Sequence, residues 1–514
     1  MGTPDARAWL LEADRLHHAK QFEAAAQHYR QAVACDPALF EAWLGLGFAL
    51  GAIQEHGEAI EALRHALALR PEATRLRINL AESLFALGHV SAAVREYETA
   101  AGGGDPLARD MALRNIACIA PGDPALDNLA IMEVRRRWAE AALVQPGRPA
   151  WRPGEKLKIG YVSSFFGARN WMKMFIGVIN AHDRDRFEVH LIATGDLPSA
   201  EAGYRDHRDD RIWEIGDISN SELAGHIVSA QLDVLVDLNG YSDLARMPVL
   251  LHRPARVQLS WANMYATTGF PTVDCVVGDA WTIPPDEEQF CVERVRRVPN
   301  TYLAFDVFYP VPDVAPPPWA RTGHITFGSL MSAYKITDPV IEAWSRVLHG
   351  VPESRLLLRN QALSQASNRD DFLARFAANG IDATRLVLEG GGEHLDFLRT
   401  YDRIDIALDA FPYNGGTSTA EAIWQGVPLL TFNGDRWAGR TSRSILMEAG
   451  LGDFVADDEA GFVGKAIEMA RAPEALADMR ARQRAKVAAS PACDTGGLCR
   501  QLEAIYRAEA DAKR

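Results

Sequence analysis

No stretch of this sequence offers about 18 uninterrupted apolar residues, so no membrane span is expected. Nor is there the apolar core of a secretory signal: Met1 to Arg7 leads directly into a charged, amphipathic pattern, which points to a cytoplasmic chain. The Met1-Gly2 start does not make a myristoylation site, because Ala6 stands where Ser or Thr is wanted. Cysteine is sparse. The six present (Cys35, Cys118, Cys275, Cys291, Cys493, Cys499) include no CxxC pair, so they read as reduced thiols rather than a disulfide framework or a zinc site. Basic excess is missing too. A net charge of −14 argues against a general nucleic-acid binder, while leaving room for a local basic pocket that holds one diphosphate.

What is present begins with a repeat. At the tetratricopeptide offset of about 34 residues, three segments come into register. Tyr29, Leu63 and Tyr97 share a column, as do Ala25, Ala59 and Ala93, then Ala32, Ala66 and Ala100, and Leu16, Leu50 and Leu84. The small residues Ala13, Gly47 and Ala81 form another, which lets paired helices pack closely. One column is imperfect, with Glu12 where Leu46 and Leu80 follow, and Pro37, Pro71 and Pro106 close the units. Such modules capture peptides or proteins along a concave face, although a scaffold or dimerisation role fits three repeats equally well.

The expected division is a helical repeat domain over 1–110, a capping helix and linker over 111–154, and a Rossmann-like domain over 155–312. A second Rossmann-like domain covers 319–490 and a C-terminal helix 491–514. The linker is read from Gln145 to Gly154, rich in Pro and Gly. From Leu157 onward, short apolar runs alternate with helical stretches, the pattern of parallel sheets covered on both faces. The clearest strands begin at Leu157, Phe187, Leu232 and Val273, then at His324, Arg355, Leu386, Ile404 and Pro428. A Pro-rich connector from Pro310 to Trp319 separates the two series. Two doubly wound domains with a cleft between them follow, and ligands of such sheets bind beyond the carboxyl ends of the strands.

Three clusters carry candidate chemistry. A strand ending near Leu408 runs into Gly415-Gly416-Thr417-Ser418, a helix start whose free N–H groups and partial positive charge suit a phosphate. Glu421 lies one turn along the same face, where a carboxylate accepts hydrogen bonds from ribose hydroxyls. A well-capped helix with no ligand explains the same residues. The second cluster is Ser332-Ala333-Tyr334-Lys335, after the first strand of the second domain. Its Lys335 would neutralise a departing diphosphate if it is not simply a solvated loop lysine. The third is His394 behind a Gly run, a position a structural histidine also occupies. Asp183-Arg184-Asp185 matches a metal-binding DxD but precedes a strand on a polar turn. It reads as surface, and no metal or cofactor is expected.

These clusters together resemble the O-GlcNAc transferase family, including its bacterial and plant SPINDLY-like members, over about residues 155–510. The match rests on Ile159 to Ser164, Asp237 to Tyr241 with Asn239 inside it, Arg253-Pro254-Ala255, and Tyr334-Lys335-Ile336. It continues through Leu408 to Pro428, Gly434 to Arg440, Ser490-Pro491 and Asp494-Thr495. The resemblance implies a GT-B fold, inversion at the anomeric centre and no required metal. By it, Lys335 holds the diphosphate as the catalytic cation and Thr417 and Ser418 bind phosphate. Glu421 replaces the family's Asp at the ribose, and His394 lies near the nucleobase. Ser332, Tyr334, Gly415, Gly416, Arg169, Asn239 and Arg440 complete the expected substrate-binding set.

The departures are equally specific. Arg169 stands where the family has a histidine proposed as a base, and a guanidinium does not accept a proton. Gly391 replaces a lysine, and Gly416 a frequent histidine. Arg169 with the two aromatics Phe165 and Phe166 would suit a carboxylated or bulkier sugar. The implied activity is transfer of a sugar, by default GlcNAc from UDP-GlcNAc, to Ser/Thr hydroxyls of a protein held by the repeats. A flagellin-type modifier using a nonulosonic acid or fucose, and a non-catalytic nucleotide-sugar sensor, are the alternatives.

Overall fold

The structure, a computed structural model, describes residues 5–142, 144, 151–152, 154–262 and 265–513. Most of the linker expected over Gln145 to Gly154 lies outside the described residues. The fold is a set of N-terminal helical repeats followed by two parallel-sheet, Rossmann-like domains. The strands are β1 Leu157–Phe165, β2 Phe187–Asp196, β3 Arg211–Glu214, β4 Val234–Asp237, β5 Val257–Ser260, β6 Cys275–Asp279 and β7 Arg294–Val298. They continue with β8 Thr326–Ser329, β9 Arg355–Arg359, β10 Leu386–Glu389, β11 Ile406–Leu408, β12 Leu429–Phe432 and β13 Val455–Ala456. The chain divides into two compact units, Met1–Ala125 with Thr326–Glu393, and Leu126–Ile325 with His394–Arg514.

In the first unit the repeats form three helical hairpins: Ala6–His18 with Phe22–Cys35, Phe40–Ala52 with His56–Leu69, and Thr74–Ala86 with Val90–Ala101. The repeat columns are the packing columns. Tyr29, Leu63 and Tyr97 are all buried, and a Cβ at Gly47 would lie 2.6 Å from Leu63 Cδ2, so that column must stay small. A further helix, Pro106–Ile119, straddles the expected boundary at 110. Asp105 caps it by accepting from Leu107 N and Ala108 N, and Pro106 sits in the first turn, where its missing N–H costs nothing.

The same unit holds the parallel strands β10-β9-β8 and the helix Ala366–Ala378. The turns between repeat helices dock on that helix. The buried Asn368 donates to Gln54 O (2.8 Å) and accepts from Gly57 N (3.0 Å), Ser367 Oγ donates to Glu55 (2.6 Å), and His89 meets Asp371 (2.9 Å). Arg375 donates to both Leu87 O and Ile336 O, which ties a repeat turn to the segment carrying Lys335.

In the second unit a seven-stranded sheet runs β3-β2-β1-β4-β5-β6-β7 with every neighbouring pair parallel. The winding direction reverses between β1 and β4, which opens a crevice beyond their carboxyl ends. The capping helix, Asn128–Ala141, packs on this domain. Trp138 meets Tyr241 and Phe270, and the Arg135 guanidinium lies over the Tyr241 ring while donating to Thr267 O. The β11-β12-β13 strands and the C-terminal helix Thr495–Ala512 belong to the same unit. Asp183 and Asp185 are exposed while Arg184 between them is buried against Asp210, so the DxD triplet is a turn with a structural centre.

Candidate functional site

At the switch point the carboxyl ends of β1 and β4 are pinned to each other. Asn239 is buried, its Oδ1 accepts from Ser164 N (2.8 Å), and its own N–H donates to Asp237 (3.1 Å). Gly240 N donates to the other Asp237 oxygen (3.0 Å). Burial pushes the Asp237 carboxyl up to about 7, against the two N–H groups that favour its charge. Asn239 thus shapes the mouth of the crevice. The loop leaving β1 then forms the short helix Arg169–Met172, with Arg169 and Lys173 one turn apart on one face.

Beyond β11, Asp409 turns the chain by accepting from Ala410 N and Gly415 N, both at 3.0 Å. The helix Thr417–Trp424 starts there, with Gly416 in the cap position. No side chain caps this helix among the described residues, so the Thr/Ser run does not act as its cap. The N–H groups of its first turn have no intrahelical partner, and the dipole's positive end lies at them. A Cβ at Gly416 would meet only the Thr441 methyl, at 3.6 Å, so the backbone does not demand glycine here. The opposite side of the helix is fixed: Thr419 shares a hydrogen bond with Ser442 (2.7 Å), which donates to Gly415 O, and Tyr401 donates to Ser418 O.

Around the first turn and a half of that helix the structure gathers Arg169, Lys173, Tyr309, His394 and Glu421. The Lys173 ammonium, 1% exposed, bonds the Glu421 carboxylate. Burial works against the Lys173 charge, but Glu421 and Tyr309 outweigh it and hold its pKa above the ordinary lysine value. Lys173 and Arg169 both lie over the Tyr309 ring, at 5.2 and 5.3 Å. His394 packs edge-on against Tyr309 and has its Nε2 3.9 Å from Glu421. Burial lowers the His394 pKa. Glu421 opposes this and the two cations reinforce it. Two cations against one carboxylate, beside an uncapped helix start, leave the cluster net positive, the balance an anionic ligand needs.

Arg440 lies elsewhere in the same unit. Its fork is spent on Glu287 (2.8 and 2.6 Å) and Gly434 O (2.6 Å), so it clamps the two sheet domains and has little left for a ligand. Ser444 donating to Asp279 and Trp281 donating to Glu448 line the same seam. Ser332, Tyr334 and Lys335 belong to the first unit, on the turn after β8, where Tyr334 stacks on Phe85 of the third repeat with ring centroids 5.0 Å apart. Gly391 is also in that unit, and a Cβ there would strike the Gln361 side chain at 2.0 Å. Lys173 and Tyr309 are the residues that sequence reasoning overlooked. The i, i+4 spacing from Arg169 was a usable signal for Lys173, whereas Tyr309 sits in an irregular segment that gives none.

Helical repeats followed by two parallel-sheet, Rossmann-like domains make a GT-B architecture. The model of glycosyl transferase family 41 matches residues 140–313 and 321–502, and a tetratricopeptide repeat model matches 52–102. The chain belongs to glycosyl transferase family 41. It is 30% identical over 416 residues to the probable UDP-N-acetylglucosamine--peptide N-acetylglucosaminyltransferase SPINDLY of Oryza sativa subsp. japonica, covering 78% of this chain and 44% of that one. To the probable enzyme of that type named SEC in Arabidopsis thaliana it is 25% identical, covering 74% and 41%. The chain therefore spans less than half the length of these curated relatives. A solved structure of a mutant O-GlcNAc transferase from Thermobaculum terrenum superposes with a TM-score of 0.80 at 27% identity, covering 100% of this chain and 99% of that one.

Proposed function

We propose that this chain is an inverting protein O-glycosyltransferase that moves GlcNAc from UDP-GlcNAc to Ser/Thr hydroxyls of a protein, in the cytoplasm. The observation that carries the reading is the uncapped start of the Thr417 helix beside the net positive Arg169–Lys173–Glu421 cluster. Family membership supplies the reaction type. In the reaction the acceptor oxygen forms a bond to the anomeric carbon while the bond to the diphosphate oxygen breaks. The electron pair leaves with the diphosphate, and the hydroxyl proton passes to solvent or a base other than Arg169.

The helix N–H groups, Thr417 and Ser418 bind charge that grows as the diphosphate departs, and so favour the transition state over the bound donor. Lys335 is the catalytic cation by its match to the family motif. Protein groups alone meet this charge, and a metal ion is not required. Glu421 and His394 hold the nucleoside side of the donor, with Lys173 fixing the Glu421 carboxylate. The repeats hold the acceptor. Calorimetry against UDP, GDP, CMP and their sugar conjugates, followed by mass spectrometry of protein acceptors, tests the reading. Selective UDP-GlcNAc binding with a gain of one N-acetylhexosamine on Ser or Thr supports it; binding of none of the nucleotides at millimolar concentration overturns it.

A further inference from the structure

A second cluster of chemically capable side chains stands apart in composition from the one around Glu421. His182 follows the helix Ile176–Ala181 of the first sheet domain, and Cys499 and Glu503 lie one turn apart on the C-terminal helix Thr495–Ala512. All three are buried. His182 Nδ1 lies 2.8 Å from Glu503 Oε1 and 3.4 Å from Cys499 Sγ, and the Cys499 to Glu503 distance is 3.7 Å. We propose that these three atoms are the protein ligands of a structural zinc-class divalent cation that bolts the C-terminal helix to the first sheet domain.

The geometry favours this over a plain polar contact. Ligands at tetrahedral zinc bond lengths stand roughly 3.4–3.6 Å from one another. Both edges that include sulfur already match, at 3.4 and 3.7 Å. Only the histidine-to-carboxylate edge must open, from the 2.8 Å of a hydrogen bond. The outer contacts suit ligation as well. The other ring nitrogen of His182 meets the Tyr161 hydroxyl at 2.7 Å, which fixes the ring and leaves Nδ1 facing the cluster. Asp183 N donates to the Glu503 oxygen at 3.3 Å. Arg184, a neighbouring cation, is neutralised by Asp210 in a two-point contact at 2.9 Å.

Charge closes the argument. The Cys499 thiol releases its proton when it ligates a cation. The dication, thiolate and carboxylate then sum to zero, the balance a buried site requires. A water molecule would supply the fourth ligand, where most structural zinc sites use a fourth protein group. No CxxC or HxxxH spacing announces such a site, because its histidine is distant in sequence and its carboxylate resembles any helical glutamate.

The test is metal analysis of the full chain after exposure to zinc ion alone, followed by replacement with cobalt. The proposal expects one equivalent of zinc, a thiolate-to-cobalt charge-transfer band, and a melting temperature that a chelator lowers. Cys499→Ser, which keeps the packing, should lose the band and the chelator sensitivity, and His182→Gln should do the same; Cys493→Ser should retain both. A wild-type protein without stoichiometric zinc, or a Cys499→Ser variant that keeps the band, overturns the site. Neither outcome depends on transferase activity.

Discussion

Lys173 and Glu421 meet as an ion pair with 1% and 8% of their side chains exposed. Removing one member of such a pair strands the other charge without water. Lys173→Met should therefore cost about 3–5 kcal/mol of folding stability. The double variant Lys173→Met/Glu421→Gln should recover much of the loss. Urea unfolding of both variants beside the wild type reads the coupling directly, and a double variant as unstable as the single one would show that no stranded carboxylate is involved.

Lys335→Ala should lower turnover by on the order of 10²-fold while the protein remains folded, the usual consequence of losing one stabilising charge at a leaving group. Donor affinity should change far less than kcat. Equal turnover by the variant and the wild type would remove Lys335 from the chemical step.

Asp237 supplies a pH signature. Its folded pKa is raised to about 7, so the folded protein holds this proton more tightly than the unfolded chain does. The stabilisation is complete below the unfolded value, about pH 4, and is lost as pH rises through about 7. Wild type should therefore lose stability relative to Asp237→Asn as pH rises from about 4 to about 7, as chemical denaturation at a series of pH values would report. A wild type that holds or gains stability relative to the variant over that window would contradict the assignment.

Arg440→Lys should lose the two-point contact with Glu287 and cost about 1.5–3 kcal/mol, with donor affinity nearly unchanged. Parallel thermal melts and donor titrations separate these effects. A large loss of donor affinity in a protein of normal stability would return Arg440 to the binding site.

Gly88 has a φ of +84°, and a Cβ there would lie 2.4 Å from Ile336 O, next to Lys335. Gly88→Val should displace the Lys335 turn and slow hydrolysis of the donor even with no protein acceptor present. If the repeats serve acceptor capture alone, that acceptor-free rate will not move.

Much of this architecture is legible in the sequence because packing writes it in periodic form. The repeat columns at Tyr29, Leu63 and Tyr97 are spaced by the geometry of helix pairs, and the continuous apolar runs of β1, β2 and β4 follow from burial on both faces. The strands that escape the pattern have physical reasons to do so. β7 reads Arg-Val-Arg-Arg-Val at the end of its sheet, with Glu509 of the C-terminal helix answering two of the arginines. β3 lies at the other edge and is largely exposed. β5 carries the buried Gln258, whose amide is satisfied by Leu250 O and Thr272 O.

In the candidate site, the helix start and Glu421 are visible from spacing. The partners of Glu421 are not, since Lys173 and Tyr309 reach it only through tertiary contacts. Arg440 shows the converse error: a residue inside a family motif whose donors are consumed by Glu287. Motif membership marks a position as constrained, and the structure shows which constraint acts there.

The docking of the repeat turns on the Ala366–Ala378 helix makes the array a ruler clamped at one end. Because solenoid repeats contact only their neighbours, units added upstream of Ala6 would lengthen the free end and leave the clamp unaltered. A unit inserted between the Gly57 and Gly88 turns would instead rotate one attachment point relative to the other and release the turn that carries Lys335. The array can therefore be extended from one side alone, without disturbing the clamp.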